Sequence, residues 1–417
     1  MSAPTVLTFG CRLNAFESEV IRERAGARLD GTIVINTCAV TAEAERQARQ
    51  AIRRARRENP RARIIVTGCA AQLDPQRFAA MPEVDRVVGN AEQLEPDALL
   101  GTGTGAEAKI QVADIMTVRT TAGHLIQGFD GRTRAFVEIQ QGCDHRCTFC
   151  IIPFARGPNR SVPVDAIVGH VRALVAGGFA EVVLTGVDIA SYGRDLAGQP
   201  TLGDMVGRVL AALPELKRLR LSTLDLAVMD EPLFRVLSEE PRLMPHLHLS
   251  LQALDDLILK RMRRRHSLAA AEAFMERARK ARPGVVFGAD LIAGFPTETD
   301  AMFENARRGV EALGLTYLHV FPYSSRPGTP AQRMPQVPKA VRLQRATALR
   351  ALGERMHERF LASRIGSTAD VLVEKHRSGL SEHYAQVRLD HDATVGHIAK
   401  VRIAGIADGA LSGTRLS

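Results

Sequence analysis

Cys143, Cys147 and Cys150 stand in the run Gly142-Cys-Asp-His-Arg-Cys-Thr-Phe-Cys-Ile-Ile-Pro153. A C-x3-C-x2-C loop brings three thiolates to three irons of a cubane [4Fe–4S] cluster and leaves the fourth iron without a protein ligand. An iron left open in this way takes a substrate or cofactor, whereas a four-cysteine site is closed and suited to electron storage. Tetrahedral zinc is the competing assignment, but no fourth Cys stands nearby and only His145 completes it.

The chain holds six cysteines, and the other three, Cys11, Cys38 and Cys69, are dispersed. Each follows a short β-rich run: Thr5-Val-Leu-Thr-Phe9, Thr32-Ile-Val-Ile-Asn36 and Arg63-Ile-Ile-Val-Thr67. Helical patterns follow each run, so the segment reads as β-α-β-α-β with a parallel sheet. Parallel strands end on one edge, and ligands in open α/β sheets collect outside the carboxyl ends. Three thiols just past three such ends therefore converge into a second three-cysteine site. The alternative is three separate core cysteines acting as small hydrophobes.

These sites need elements to position them. At 417 residues the chain is long enough for two or three domains. Residues 1–105 read as the α/β unit with the dispersed cysteines, with Asp85-Arg-Val-Val88 as a fourth strand. A polar linker with some short strand character occupies 106–133, after Gly101-Thr-Gly-Thr-Gly105. Over 134–364 strands alternate with helices: Arg134–Ile139, Glu181–Thr185, Arg218–Ser222, His246–Ser250, Val285–Ile292 and Tyr317–Phe321. Six β/α units make an incomplete parallel (β/α)6 barrel, with its chemistry at the carboxyl ends of the strands and the cysteine loop after the first. Residues 365–417 alternate short strands with Gly-rich turns, a small all-β module. The fold class is α/β with this β appendage.

Hydrophobic content of 45% and charged content of 24% are ordinary for a globular protein. No apolar run is long enough to cross a membrane, and oxidation to disulfides would destroy both cysteine sites. A cytoplasmic protein with no membrane partner is expected. Net charge is +9, which suits a polyanionic partner. Between Ala42 and Asn59 a helix carries Ala48, Ala51, Ile52 and Ala55 on one face, with Arg46, Arg49, Arg53, Arg56 and Arg57 mostly opposite. Such a row serves phosphate contacts or is simply a solvated face.

The motifs Thr8-Phe-Gly-Cys-Arg-Leu-Asn14, Ile35-Asn-Thr-Cys-Ala-Val-Thr41 and Val66-Thr-Gly-Cys-Ala-Ala-Gln72 resemble those of the radical S-adenosylmethionine (SAM) methylthiotransferases. So do Gly142–Gly157, Leu184-Thr-Gly-Val-Asp-Ile189, Gly288–Glu298 and Val320-Phe-Pro-Tyr-Ser-Ser-Arg-Pro-Gly-Thr329. The resemblance runs collinearly over nearly the whole sequence. It implies an amino-terminal methylthiotransferase domain, a central radical SAM barrel and a carboxy-terminal TRAM-like barrel that binds RNA. It also implies two [4Fe–4S] clusters, one on each cysteine triad, with SAM chelated at the open iron of the loop cluster and cleaved to a carbon radical.

The resemblance further implies SAM contacts from Phe149, Gly186, Asp188, Ser222, Gln252, Arg264, Asp290 and Gly294, with no catalytic side chain beyond the cluster ligands. A polar residue at a strand end also caps helices, so each of these has a structural alternative. Ser250-Leu-Gln-Ala-Leu-Asp255 departs from the family's usual Pro-Leu-Gln-Ser-Gly-Ser around Gln252. The β module offers one aromatic, Tyr384, and so lacks stacking platforms for bases.

Within the family the resemblance is closest to the branch that installs methylthio at C2 of N6-threonylcarbamoyladenosine, at position 37 of tRNA. The implied partners are the tRNA anticodon stem-loop and an electron donor such as flavodoxin or ferredoxin. Sister branches act on N6-isopentenyladenosine in tRNA or on a ribosomal-protein aspartate. A non-catalytic iron–sulfur RNA-binding protein is the alternative of another class.

Overall fold

Branched aliphatic runs build the first sheet. In the computed structural model, which describes residues 4–102, 108–120, 133–226 and 230–416, these runs become β1 (Thr5–Thr8), β2 (Thr32–Thr37) and β3 (Arg63–Gly68), followed by β4 (Arg86–Val88) and β5 (Ile110–Gln111). All are parallel, in the order β1-β2-β3-β4-β5. Alternate residues serve opposite faces. Ile33, Ile35, Ile64 and Val66 pack with Ile52, Ala55 and Phe78, whereas Val34 and Ile65 pack with Ile21, Leu29 and Leu99. Each such aliphatic side chain removed from water contributes roughly 1.5–3 kcal/mol. The fifth strand falls inside the expected linker. Of the Gly-Thr-Gly-Thr-Gly stretch, residues 103–105 lie outside the described residues.

The described chain divides into two units that do not follow chain order. One takes residues within 1–126, 140–162 and 324–332; the other takes residues within 127–139, 163–323 and 333–417. Both cysteine triads belong to the first. Its remaining strand pairing joins the last two residues of β6 (Arg134–Gln141) antiparallel to β7 (Arg160–Ser161).

The second unit contains the barrel. Its strands are β6 up to Ile139, β8 (Glu181–Gly186), β9 (Arg218–Leu221), β10 (Thr223–Leu224), β11 (His246–Gln252), β12 (Val286–Ala293) and β13 (Tyr317–Pro322). β6, β8 and β9 are neighbours, and β10 through β13 follow in order. Only Ser222 separates β9 from β10, so the seven segments amount to the six expected strands. Helices Val164–Ala176, Leu202–Ala212, Glu231–Glu239, Leu268–Ala281, Asp300–Leu313 and Lys339–Arg364 accompany them. Their starts are fixed locally: Thr201, Asp230, Ser267 and Thr299 accept backbone N–H bonds from the first turns.

The module after Arg364 is a closed barrel of β14 (Thr368–Lys375), β15 (Ser378–Ser381), β16 (Gln386–Leu389), β17 (Ile398–Ala407) and β18 (Ala410–Arg415), ordered β14-β15-β16-β18-β17. Val371, Val373, Val387, Val401 and Ile403 fill it, with Leu361 from the preceding helix. One acid among three arginines ties this module to the α/β barrel. Arg220 grips Glu181 through Nε at 3.0 Å and an η nitrogen at 3.1 Å, while Arg218 and Arg134 lie 3.7 and 4.0 Å from it. Surplus guanidinium N–H groups donate to Asp370 O at 2.5 Å and Glu382 O at 3.1 Å. Burial opposes the Glu181 charge, but Arg220 first, then Arg218 and Arg134, hold its carboxyl below the usual range. Tyr384 stacks on His246 with centroids 5.2 Å apart. The module's one aromatic is thus committed to internal packing.

No helix among the described residues is long and apolar enough to cross a membrane.

Candidate functional site

Strand register brings the dispersed cysteines together. Thr8 pairs with Asn36, and Asn36 with Thr67, so three strands end side by side. Cys11 immediately precedes the helix Arg12–Ala25, Cys38 follows β2 directly, and Cys69 opens the turn Cys69–Leu73. Gly10, at φ +99°, lies so near Cys38 that an added Cβ would stand 2.8 Å from its sulfur. Cys38 and Cys69 are buried and Cys11 is exposed. Burial pushes the Cys38 thiol up to about 12, and the neighbouring Cys69 adds to the effect. Cys11 raises Cys69 in turn, although burial is the larger cause and Arg156 opposes both. Thiols that repel one another's charge share one electrostatic neighbourhood. A bound cation reverses that penalty and makes them thiolates, so the donor set fits an iron–sulfur cluster with one open iron.

Sequence reasoning missed the polar group beneath these thiols. Arg156 lies in the short helix that follows the cysteine loop, and its Nε–H donates to the Cys69 sulfur at 3.1 Å. Its η nitrogens grip Glu17 and reach Asn14 Oδ1 at 2.7 Å. Asn14 also accepts from the Cys11 thiol at 3.5 Å and donates to Phe9 O at 2.8 Å and Thr37 O at 3.0 Å. Arg156, Glu17 and Asn14 are at most 2% exposed. Asn14 and Arg156 fall inside the motifs Gly-Cys-Arg-Leu-Asn14 and Phe-Ala-Arg-Gly157, which was the available signal.

The loop triad is built differently. Cys143, Cys147 and Cys150 are half-buried and unbridged. Backbone bonds close the loop: Cys143 N donates to Gly157 O at 3.0 Å, and Cys150 N to Cys147 O at 3.1 Å. Asp144 accepts from Asn159 N at 3.0 Å, and Gln140 bonds Gly142 O at 2.7 Å. Phe149 is half-buried beside Thr148, whose carbonyl accepts from Ala331 N at 2.9 Å. From Ser324 on, the Tyr-Ser-Ser-Arg-Pro-Gly-Thr motif belongs to the same unit. Ser324 Oγ accepts from Ala42 N, and buried Arg326 pairs with Glu45.

In the second unit, the structure draws part of the expected SAM set together. Gln252, at a register shift in β11 with φ +68°, donates to Ser250 Oγ at 3.1 Å. Arg264 donates to Ser250 O at 2.6 Å and pairs with Asp225 at 2.9 Å. It is a buried, anchored arginine rather than a solvated one, and Ser250 supplies the local contacts at the departure from the family pattern. Ser222 is buried between β9 and β10. Gly186 ends β8, and Asp188 accepts from Ser191 Oγ at 2.7 Å, holding the next turn. Asp290 Oδ1 meets His248 Nε2 at 3.1 Å and His319 Nδ1 at 3.3 Å. Burial opposes its ionisation, but the two imidazoles outweigh it and hold the carboxyl at about 2. Gly294 turns with φ +70° where an added Cβ would strike Arg342, so packing alone requires glycine there.

The arginine-bearing helix buries Ala48, Ile52 and Ala55. Its charged side is less free than the sequence suggests. Arg56 binds Asp85 at 2.6 Å and three backbone carbonyls, and Arg46 binds Glu43. Arg53 and Arg57 remain exposed.

Residues 137–308 match the radical SAM superfamily, and residues 4–89 match an uncharacterized protein family, UPF0004. A threonylcarbamoyladenosine tRNA methylthiotransferase MtaB from Rickettsia prowazekii is 50% identical over 97% of this chain and 95% of its own. The chain belongs to the radical SAM methylthiotransferase family. The MtaB protein of Bacillus subtilis is 33% identical over 95% of this chain and 92% of its own. A tRNA-2-methylthio-N(6)-dimethylallyladenosine synthase from Novosphingobium aromaticivorans is 35% identical over 98% of this chain and 96% of its own. Among solved structures, the radical SAM methyltransferase TsrM from Kitasatospora setae, with cobalamin and a [4Fe–4S] cluster bound, superposes with a TM-score of 0.55. That match covers 80% of this methylthiotransferase and 77% of TsrM at 16% identity, a likeness of fold.

Proposed function

We propose that this chain adds a methylthio group to C2 of N6-threonylcarbamoyladenosine at position 37 of tRNA. The geometry that supports this most strongly is the placement of two open three-thiol sites in one unit, with Arg156 of the loop segment bonded to a thiol of the strand-edge triad. The substrate follows from 50% identity to the Rickettsia MtaB protein, against 35% to the dimethylallyladenosine enzyme.

An adenine C2–H offers no acid–base handle. When bound, the loop cluster with SAM supplies a carbon radical for that hydrogen, and the strand-edge cluster supplies the place where sulfur is held. The protein binds and orients. Cys143, Cys147 and Cys150 hold the first cluster; Cys11, Cys38 and Cys69 hold the second. Asp188, Ser222 and Gln252, at or just past the ends of β8, β9 and β11, serve with Arg264 and Asp290 as polar contacts for SAM, and Gly186, Gly294 and Phe149 complete the set. No side chain acts chemically beyond the ligands.

The partner is the anticodon stem-loop, whose unpaired bases leave the stack at small cost. Arg53 and Arg57 are suited to phosphate contacts that weaken with salt. We place the domains at 1–105, 134–364 and 365–417, with the strand Ile110–Gln111 of the 106–133 connection added to the sheet of the first. Six unbridged cysteines suit a reducing cytoplasm, where a flavodoxin- or ferredoxin-type donor supplies electrons. Nucleoside analysis of tRNA from a deletion strain tests the substrate. The methylthio derivative of threonylcarbamoyladenosine should vanish while that of the isopentenyl nucleoside persists; the reverse pattern contradicts the reading.

A further inference from the structure

Arg156 makes a hydrogen bond to the strand-edge triad that a structural ion pair does not need. A guanidinium has five N–H groups in a fixed fork. The η nitrogens satisfy Glu17 on both oxygens, reach Asn14 at 2.7 Å, and approach Gln141 Oε1 at 3.4 Å. Those bonds suffice to anchor a buried pair. The Nε–H is directed elsewhere, to the sulfur of Cys69 at 3.1 Å. Glu17, with no measurable exposure, also accepts from Gln141 Nε2 at 3.2 Å, so its charge is fixed beside the guanidinium.

The network extends to the other two cysteines. Asn14 accepts both from Arg156 and from the Cys11 thiol, and its amide holds the carbonyls of Phe9 and Thr37, next to Gly10-Cys11 and Cys38. One buried Arg–Glu–Asn set therefore touches all three cysteine-bearing segments. Arg156 itself lies six residues after Cys150, so the same side chain is anchored to the loop triad through the main chain.

We propose that Arg156 is a positioning residue that sets the reduction potential of the strand-edge cluster, with Glu17 as its opposing charge. This rests on the reading of Cys11, Cys38 and Cys69 as cluster ligands. Hydrogen bonds to cluster sulfurs and nearby net charge are established determinants of such potentials. An added electron increases negative charge on the sulfurs, so a cationic donor at Cys69 stabilises the reduced state more than the oxidised one. Removing it lowers the potential. Removing the carboxylate of Glu17 leaves the guanidinium uncompensated and raises the potential. The two substitutions therefore act with opposite sign. A purely structural pair predicts the same damage from either side and no ordered shift.

The test uses the full chain carrying Cys143→Ala, Cys147→Ala and Cys150→Ala, so that iron is confined to the strand-edge site. After anaerobic reconstitution, iron and sulfide are counted, and the midpoint is read by a dye-mediated redox titration followed by electron paramagnetic resonance. Arg156→Gln should move the midpoint negative, Glu17→Gln should move it positive, and Arg156→Lys should fall between Arg156→Gln and the parent, because it keeps charge without the fork. If Arg156→Gln retains no iron, the signs for Glu17→Gln and Arg156→Lys still decide. Unmoved midpoints, or a negative shift in Glu17→Gln, overturn the proposal. A parent protein that takes up no iron removes the ligand reading itself, and the proposal with it. Iron retained by the parent with unmoved midpoints removes only the role of Arg156.

Discussion

Each unit buries an arginine–glutamate pair, and the two pairs do different work. Arg220 and Glu181 in the barrel unit are both about 1% exposed on their side chains. Their surplus N–H groups end on carbonyls of the β module, at Glu382 and Ser381. Arg156 and Glu17 in the other unit are equally buried, but there the Nε–H ends on a thiol, while spare η N–H groups reach the amide oxygens of Asn14 and Gln141. A pair capped by carbonyls joins two pieces of fold. A pair aimed at a sulfur serves the chemistry of that sulfur. Burial is alike, and the pairing geometry fixes the terminal acceptor: Arg220 meets Glu181 with Nε and one η nitrogen, whereas Arg156 meets Glu17 with both η nitrogens and so frees its Nε–H for the sulfur.

The sharpest way to break this comparison is at the thiols. Cys11→Ala, Cys38→Ala and Cys69→Ala together should abolish methylthio transfer while 5′-deoxyadenosine production from SAM continues, as followed by liquid chromatography. Loss of SAM cleavage in that variant would mean that the two triads do not act separately. A smaller effect is expected at the structural pair. Glu181→Ala leaves the buried guanidiniums of Arg218 and Arg220 without their acid and should cost about 3–5 kcal/mol in chemical denaturation, with the iron content of the folded protein unchanged. Iron loss from folded protein would show that the barrel pair supports the cluster sites after all.

Acid stability sharpens the contrast further. The Asp290 carboxyl sits at about 2, below its ordinary value of 3.8. Its contribution is therefore complete above pH 3.8 and is lost as pH falls toward about 2. Asp290→Asn should flatten the stability profile across that window and leave it parallel to wild type above it; unchanged slopes would remove the His248–Asp290–His319 contact from the account. The smallest effect belongs to the exposed pair Arg46–Glu43. Arg46→Ala should leave the melting temperature unchanged, because exposed pairs of this kind contribute little.

The loop triad was legible because all its ligands lie in one short peptide, whose spacing is itself the signal. The strand-edge triad was legible through topology, since parallel strands must end together and the register of Thr8, Asn36 and Thr67 carries the cysteines with it. The six barrel strands followed from alternation. What stayed hidden were pairings without local periodicity. Glu17 and Arg156 are 139 residues apart, and neither shows in its own helix that the other is its partner. Arg56 stood in a row open to phosphate contacts or to solvent, but its place beside Asp85 depends on a segment 29 residues away. Tyr384 stood alone in the β module, and its stacking on His246 depends on how that module packs within its unit.

Metal content is the decisive observation. Anaerobically reconstituted wild type should bind about twice the iron and sulfide of a folded Cys11→Ala, Cys38→Ala, Cys69→Ala protein, with the remaining cluster still able to bind SAM. Wild-type iron and sulfide in that variant would show that those three thiols hold no cluster, and the two-site account would fail.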